Sequence, residues 1–462
     1  MNIIILGAGQ VGASVAEGLV SEANDITLVD TDAISLAELR NRFEVRTVCG
    51  NAASPSVLRE AGADNADLLI AVTQSDQTNL CACKIARTLF NVPTRIARLR
   101  STDYADCPEL LDNSNFAVDF SICPEQIVTD YIRRLIDFPG ALQVHDFAGG
   151  LVNLVSVVAR EGDPLAGRPL PDLRSQLLQV DARIVAVYRA GHPIVPSDEI
   201  VIMPGDEVFC LFAARHARAA MQSLHGTSLP IRRVMIAGGG NIGLRLGASL
   251  DSGFNVKLIE IDARRAEKLA VSLHDVLVLH GNVTDEKLLE NEGIDETDLF
   301  VALTNDEEDN IMSATLAKRM GARYTLALVN RKSYVGLVEG GLIDIVISPA
   351  QASIGVMLTH VRHGDIVAVR SLRRGAAEAL EIVTHGQRSN SRVVGRAISE
   401  ISLPEGVTIN AIVRETPGAN RNVLIPDNET VIESGDHVIV FCPHKNLVKK
   451  VEKLFQVGFA FL

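Results

Sequence analysis

The sequence predicts an α/β protein in which one unit is used twice, each unit a doubly wound parallel sheet followed by a small α+β lobe. Three observations predict it. A strand, Asn2-Ile3-Ile4-Ile5-Leu6, runs straight into the glycine-rich turn Gly7-Ala8-Gly9-Gln10-Val11-Gly12. The same pattern returns 231 residues later as Gly238-Gly239-Gly240-Asn241-Ile242-Gly243. Aromatic residues make up only 4% and Trp is absent, so the cores must rest on Ile, Val, Leu and Ala. Parallel strands buried on both faces have that composition.

The repeat holds well beyond the glycines. At the same offset Gly50-Asn51 meets Gly281-Asn282, Asp64 and Asp67 meet Asp295 and Asp298, and Thr73 and Asn79 meet Thr304 and Asn310. Asp30 and Glu260 align one residue short, as a single deletion would produce. Within the first unit, residues 2–6, 25–29, 46–49, 68–72 and 95–99 read as strands with helical patterns between them, hence a parallel sheet covered on both faces.

The second part of each unit repeats too. Ala166-Gly167-Arg168-Pro169-Leu170 parallels Val394-Gly395-Arg396-Ala397-Ile398, and residues 203–208 parallel 433–438. Residues 184–188, a turn, 193–195 and 208–212 read as strands of a small α+β lobe, and the breaker-rich stretch 224–230 reads as the linker between units. The expected domains are 1–123 and 231–348 for the large lobes, and 143–227 and 368–453 for the small ones. Between large and small lobes lie apolar stripes at helical spacing. One is Ile127, Val128, Tyr131, Ile132, Leu135 and Ile136; its counterpart is Ile354, Met357, Leu358 and Val361. Each packs either on its own sheet or as a pairing arm between subunits.

At 462 residues the chain exceeds one hydrophobic core and suits three or four domains. Its net charge of −13 would be repelled by phosphate backbones, so no nucleic acid is expected as a partner. Seven scattered Cys form no CxxC pair or zinc spacing, which fits a reducing compartment. No basic n-region with a cleavage site opens the chain, and no apolar run is long enough to span a bilayer, so a cytoplasmic protein is expected.

The glycine turn acquires meaning from its place between a strand and a helix, the context of a Rossmann dinucleotide site. Gly7 permits the tight turn, Gly9 lets a pyrophosphate approach the backbone, and Gly12 lets the helix pack on the sheet. The helix N-terminus offers free N–H groups and a positive dipole end to phosphate. Asp30, at the end of the second strand, is placed to grip ribose hydroxyls, and an acid there favours NAD(H) over NADP(H). The second unit supplies Gly238, Gly240, Gly243 and Glu260, with Gly239 expected to loosen its loop. Asn51 and Thr73 fall on the rim where a ligand lies beyond the strand ends. Arg98 either reaches a phosphate or makes a surface ion pair. Val329 stands opposite it in the second unit, so the two sites are expected to differ.

Catalytic signatures are missing. The chain holds no GxSxG, HExxH or P-loop, and no His or Lys recurs near a strand end as a proton donor. His360 and His363 share a helix face without a further ligand, so no metal is expected. A regulator fits better than its two rivals, an NAD-dependent dehydrogenase and a redox-sensing interaction module.

The strings MNIIILGAGQVGASVAEGL, LVDTD, CGNA, AVTQSDQTNL and ARLRSTDY, followed in the second copy by VMIAGGGNIGLRLG, LIEID, HGNVTDEKLL and ALTNDEEDNIMSATLAKR, resemble a known family across nearly the whole chain. That family is the cytosolic regulatory subunits of bacterial Trk-type potassium transporters, built from tandem RCK (KTN plus C-lobe) units. The resemblance implies NAD or NADH in the large lobes, with ATP or ADP as alternatives. It also implies self-association into a homo-oligomeric ring, and attachment to the cytoplasmic face of the inner membrane through a potassium-translocating subunit of the TrkH or TrkG kind. Carried over residue by residue, the first site would use Gly7, Ala8, Gly9, Gln10, Val11, Gly12, Asp30, Asn51, Ala52, Thr73 and Arg98. The second would use Gly238, Gly239, Gly240, Asn241, Ile242, Gly243, Glu260, Asn282, Val283 and Thr304.

Overall fold

The computed structural model describes all residues except 21–23, 106, 195–198, 227–228, 251–252, 332–333, 335–342, 362–364, 374–375, 416–420 and 458–462. The first large lobe builds β1 (Asn2–Leu6), α1 (Gln10–Val20), β2 (Asp25–Asp30), α2 (Ala33–Arg42), β3 (Arg46–Cys49), α3 (Pro55–Glu60), β4 (Leu68–Ala71), α4 (Asp76–Phe90), β5 (Thr94–Arg98), α5 (Thr102–Ala105), α6 (Pro108–Leu111) and β6 (Phe120–Ile122). The strands form one parallel sheet in the order β3-β2-β1-β4-β5-β6. In β1, Ile3 and Ile5 enter one apolar cluster and Ile4 and Leu6 another, so both faces are buried and the strand needs no polar alternation. Helix α4 starts where the Ser75 side chain accepts from Thr78 N–H, and it ends at Asn91, whose φ of 57° is left-handed.

A crossover helix, α7 (Pro124–Asp137), leads to the first small lobe: β7 (Ala141–Phe147), β8 (Val152–Val158), α8 (Leu170–Leu178), β9 (Ala182–Arg189), β10 (His192–Ile194), β11 (Glu207–Ala213) and α9 (Ala217–His225). Strands β7 and β8 go beyond the sequence reading, and Val195 lies outside the described residues. The linker is shorter than expected. Helix α9 runs through Leu224, which is fully buried, and His225, whose ring pairs with Asp163 at 2.9 Å.

The second unit repeats this plan. Its large lobe comprises β12 (Arg233–Ala237), α10 (Asn241–Ser249), β13 (Asn255–Glu260), α11 (Ala263–Ser272), β14 (Val276–His280), α12 (Glu286–Asn291), β15 (Leu299–Ala302), α13 (Glu307–Arg319), β16 (Tyr324–Leu328) and β17 (Ile345–Ile347). The sheet order β14-β13-β12-β15-β16-β17 is that of the first lobe. The crossover α14 (Pro349–Val361) precedes β18 (Ile366–Leu372), β19 (Ala377–Val383), β20 (Thr408–Arg414), β21 (Asn422–Leu424), β22 (His437–Cys442) and α15 (Val448–Phe455). Both small lobes are five-stranded antiparallel sheets of one topology, β10-β9-β11-β8-β7 and β21-β20-β22-β19-β18. The repeated Gly-Asp turns have one job in both: Asp206 pairs with Arg189 and Asp436 with Arg414, each at 2.8 Å.

The crossover helices do not stay with their own sheets. Helix α7 packs on α10, α14 packs on α1, and the two crossovers touch each other. Val128, Ile132, Leu135 and Ile136 of α7 therefore share a core with the first small lobe and the second large lobe. Ile354, Met357 and Leu358 of α14 share one with the first large lobe and the second small lobe. A methyl added at Gly18 of α1 would stand 3.6 Å from Ile354 Cγ2. The side chain of Val361 lies outside the described residues. The pairing arm of the sequence reading thus joins the two halves of a single chain. Each buried Ile or Leu contributes about 1.5–3 kcal/mol, which holds the halves together firmly. The small lobes also meet, through a third shared cluster, and Arg183 donates to the carbonyls of Ile409 (3.3 Å) and Pro426 (2.5 Å).

Candidate nucleotide site

The first glycine turn has the geometry its sequence requires. Gly7 adopts φ 110°, where a side chain is strained, and a methyl there would lie 3.0 Å from the backbone of Val72 and Thr73. A methyl on Gly12 would stand 1.8 Å from Gly7 O, so the helix can approach the strand only with glycine at this place. Gly9 has nothing within 4 Å of the corresponding position, leaving its backbone open to a ligand. The second turn repeats the set. Gly238 has φ 102°, a methyl on Gly243 would meet Gly238 O at 2.0 Å, and Gly240 faces open space.

The acids at the strand ends brace these turns. Asp30 accepts from Ala8 N–H (2.6 Å) and Asp32 N–H (3.0 Å), and Glu260 accepts from Gly239 N–H and Asp262 N–H (both 2.9 Å). Here the structure corrects the expectation that Gly239 loosens its loop. A methyl on Gly239 would stand 2.2 Å from Leu269 Cδ1 and 2.9 Å from Glu260 Oε2. The pairs Ala8 with Asp30 and Gly239 with Glu260 are therefore two ways of filling one space, with a carbon moved from the loop to the acid. The second loop is packed rather than loose.

Thr73 and Thr304 sit at the next strand ends, and each is clamped by a fully buried Asn on the following helix. Asn79 Oδ1 accepts from Thr73 N–H (3.0 Å) and its hydroxyl (2.7 Å), while Nδ2 donates to the carbonyl of Arg98 (2.9 Å). Asn310 does the same for Thr304 (2.8 Å to each) and the carbonyl of Leu328 (3.0 Å). The sequence reading used these Asn residues as markers of register and gave them no role. Their recurrence at one offset was the available signal. Asn51 and Asn282 use their side-chain oxygens to close turns, accepting from Ala53 and Thr284 N–H (both 2.9 Å).

Both turns open into one cavity of about 1120 Å³ between the halves. The first site lines it with Gly7, Gly9, Gln10, Val11, Asp30, Asn51, Ala52, Thr73 and Arg98; the second contributes Gly240, Asn241, Ile242 and Thr304. Ala8, Gly12, Gly238, Gly239, Gly243, Glu260, Asn282 and Val283 are not part of that wall; the glycines among them and Glu260 act from behind it. The cavity also brings in Arg100 and Glu125, which sequence reasoning did not assign. Glu125 accepts from Arg100 Nε at 2.8 Å and lies 3.5 Å from Arg98 Nη2. Burial opposes ionisation of Glu125, but the Arg100 hydrogen bond and the charges of both arginines outweigh it and hold its pKa below the ordinary value. Burial, then repulsion from Arg100, lowers the pKa of Arg98.

Arg98 and Arg100 share the Glu125 carboxylate, Asp76 adds a second carboxylate that accepts from Arg100 N–H, and the buried Arg98 Nε has no hydrogen-bond partner. This corner retains donor capacity on Arg98 beside a backbone cradle, so the residues present fit a phosphate-bearing ligand. The surface ion pair considered for Arg98 is instead a nearly buried one, with 12% of the side chain exposed. In the second half Val329 replaces Arg98 and Ala350 follows the helix-opening Pro349, as Glu125 follows Pro124. Both members of the pair are lost together, leaving no unpaired charge. Among the described residues no group of three or more His, Cys, Asp or Glu could hold a metal; His363 lies outside them.

Fold and cavity define a class: a tandem Rossmann protein that turns two glycine-rich loops toward one inter-half space. The TrkA-N domain model matches residues 3–114 and 234–349, and the TrkA-C domain model matches 154–224 and 388–456. The chain is 53% identical over 461 residues to the Trk system potassium uptake protein TrkA of Halomonas elongata and 52% identical over 463 residues to that of Vibrio alginolyticus, with 100% of each chain covered. It belongs to the TrkA family of Trk system potassium uptake proteins. Among solved structures it resembles the GsuK RCK domain (TM-score 0.61, 19% identity, covering 98% of this chain and 94% of that one). It also resembles the GsuK channel bound to NAD (TM-score 0.61, 19% identity, covering 98% and 78%). Those likenesses show the fold. Among the described residues no helix is long and apolar enough to cross a membrane.

Proposed function

We propose that this chain is the nucleotide-responsive regulatory subunit of a Trk-type potassium uptake system. The observation that carries the reading is the shared cavity. Two phosphate cradles on opposite halves face one space, so a bound nucleotide acts on how the halves sit against each other. A ligand shifts such an equilibrium only by its preference for one arrangement, about 1.4 kcal/mol per tenfold difference in affinity.

The first site would hold NAD or NADH, with ATP or ADP as alternatives. Gly7 to Gly12 would face the phosphates, Asp30 the ribose, Asn51, Ala52 and Thr73 the base and ribose rim, and Arg98 with Arg100 a distal phosphate. The second would use Gly238 to Gly243, Glu260, Asn282, Val283 and Thr304. Its lack of an Arg98 counterpart gives it weaker demands on phosphate charge. The lobes 1–123, 143–227, 231–348 and 368–453 would act as four rigid parts linked by α7 and α14. Each crossover ties a small lobe to the opposite large lobe, so movement at the cavity reaches both small lobes. The chain would assemble into a homo-oligomeric ring at the cytoplasmic face, held there by a membrane potassium-translocating subunit of the TrkH or TrkG kind.

The test is potassium uptake at low external potassium in cells that lack this gene and any second uptake system. Restoration by the intact chain, altered by Asp30→Ala or Glu260→Ala, supports the reading. Uptake that is unchanged without the gene rejects it and returns a dehydrogenase role to consideration.

A further inference from the structure

The second half reaches into the first site. Arg245 lies on α10, the helix that springs from the second glycine turn, yet among the described residues its guanidinium bonds across the interface. Nη1 donates to Gln126 Oε1 at 2.9 Å and Nη2 to the main-chain carbonyl of Arg100 at 3.0 Å. These two acceptors flank the ion pair at the charged corner of the first site. The Arg100 N–H donates to both oxygens of Asp76 (3.1 and 2.9 Å), and its Nε donates to Glu125. Gln126 adjoins Glu125 in the first turn of α7 and donates onward to Asp130 at 2.7 Å. One guanidinium thus holds the backbone of the cation and the neighbour of the anion. Its planar fork suits that double task, and a lysine could serve only one acceptor well.

The internal repeat shows that this strut has one direction. At the 231-residue offset Arg245 corresponds to Ser14, a side chain too short for such a span. Arg331, the counterpart of Arg100, turns instead to Glu308 (3.1 Å) and Tyr334 (2.9 Å) within its own half.

We propose that Arg245 is a positioning residue of the first nucleotide site, supplied by the opposite half, and that it links the distal phosphate of a ligand there to α10 at the second site. The inference rests on the nucleotide-binding reading above. A ligand with a distal phosphate, a nucleoside diphosphate being the smallest, pulls on Arg98 and Arg100. Displacement of Arg100 moves the carbonyl that Arg245 holds, and with it the helix whose N-terminus forms the second cradle. A nucleoside monophosphate lacks the distal group and does not engage the strut.

The experiment uses the full-length chain carrying Gly240→Glu, which places a carboxylate in the open space of the second cradle and confines ligand to the first site. ADP and AMP affinities are measured by calorimetry, and hydrogen exchange is followed over residues 241–249, with and without Arg245→Ala or Arg245→Lys. Arg245→Ala is expected to weaken ADP about tenfold, a difference of ~1.4 kcal/mol, and AMP less than twofold. ADP slows exchange in α10 when Arg245 is present and not when it is Ala, and the Lys variant falls between. An equal loss for AMP and ADP, or α10 protection that persists in Arg245→Ala, overturns the proposal. Absence of ADP and AMP binding with Arg245 in place, in the Gly240→Glu chain and in the chain without it, also overturns the proposal, and absence of NAD and NADH binding besides defeats the underlying nucleotide reading.

Discussion

Replacing Gly239 by Ala tests whether the second turn is packed or loose. The added methyl would stand 2.2 Å from Leu269 Cδ1 and 2.9 Å from Glu260 Oε2, so Leu269 must leave its position and the acid must withdraw. Overpacking of this kind costs about 1–3 kcal/mol. Glu260→Asp alone removes one methylene, about 1 kcal/mol of burial, and takes the carboxylate away from Gly239 N–H. Together the two changes recreate the Ala8–Asp30 arrangement of the first half, where the acid reaches the loop amide at 2.6 Å. The double variant should therefore lose about 1–2 kcal/mol less than the sum of the singles. Because a chain of several domains does not unfold in one step, the readout is the shift in thermal midpoint of the affected transition, about 2–4 °C per kcal/mol. Additivity within about 0.5 kcal/mol would refute the reasoning and restore a loose loop.

Four further outcomes follow from the same geometry. Gly12→Ala forces a methyl against Gly7 O, so the first turn must open; nucleotide titration should show loss of the first site while the second persists. Asn79→Leu leaves Thr73 and the Arg98 carbonyl without their buried partner, at about 2–4 kcal/mol, visible as a lower thermal midpoint and weaker first-site binding. Glu125→Ala strands Arg98 in a nearly buried place and should destabilise more than the pair Glu125→Ala with Arg98→Val, the combination the second half already uses. The Glu125 carboxyl, with its pKa lowered by its arginine partners against burial, contributes stability that is complete above the ordinary Glu pKa of about 4.3. That contribution disappears as pH falls through the lowered value. Stability measured from pH 6 to 3 should accordingly show a shallower acid limb in the double variant.

Much of this architecture was legible in the chain itself. The glycines at 7, 9 and 12 have local causes (a left-handed turn, an open cradle and a backbone contact), so their pattern carries through to the structure. The strand ladder was equally readable, because β1 and β12 bury both faces and show unbroken apolar runs. Strands β7 and β8 were missed, since Gln143, His145 and Asp146 interrupt the alternation in β7 and Ser156 sits inside β8. The role of Gly239 was misread because conformational freedom is a property of one residue, while the space that Glu260 and Leu269 occupy belongs to three separate segments. Arg100 and Glu125 stand 25 residues apart and no spacing linked them; the pairing of β6 with β5, which brings the start of α7 near the end of β5, makes them a pair.

By itself the sequence determined the duplicated α/β plan, the two glycine-rich turns and the difference between the halves at Arg98 and Val329. Backbone conformation, strand burial and repeat register are written in short windows or fixed offsets. The tertiary structure alone decided that α7 and α14 cross to the opposite half, that the two turns share one cavity, and that Arg245 reaches Gln126 and the Arg100 carbonyl across the halves. An apolar stripe is complementary to many surfaces, and a guanidinium to many acceptors. Which surface and which acceptor each one meets is settled only when both halves pack into a common core.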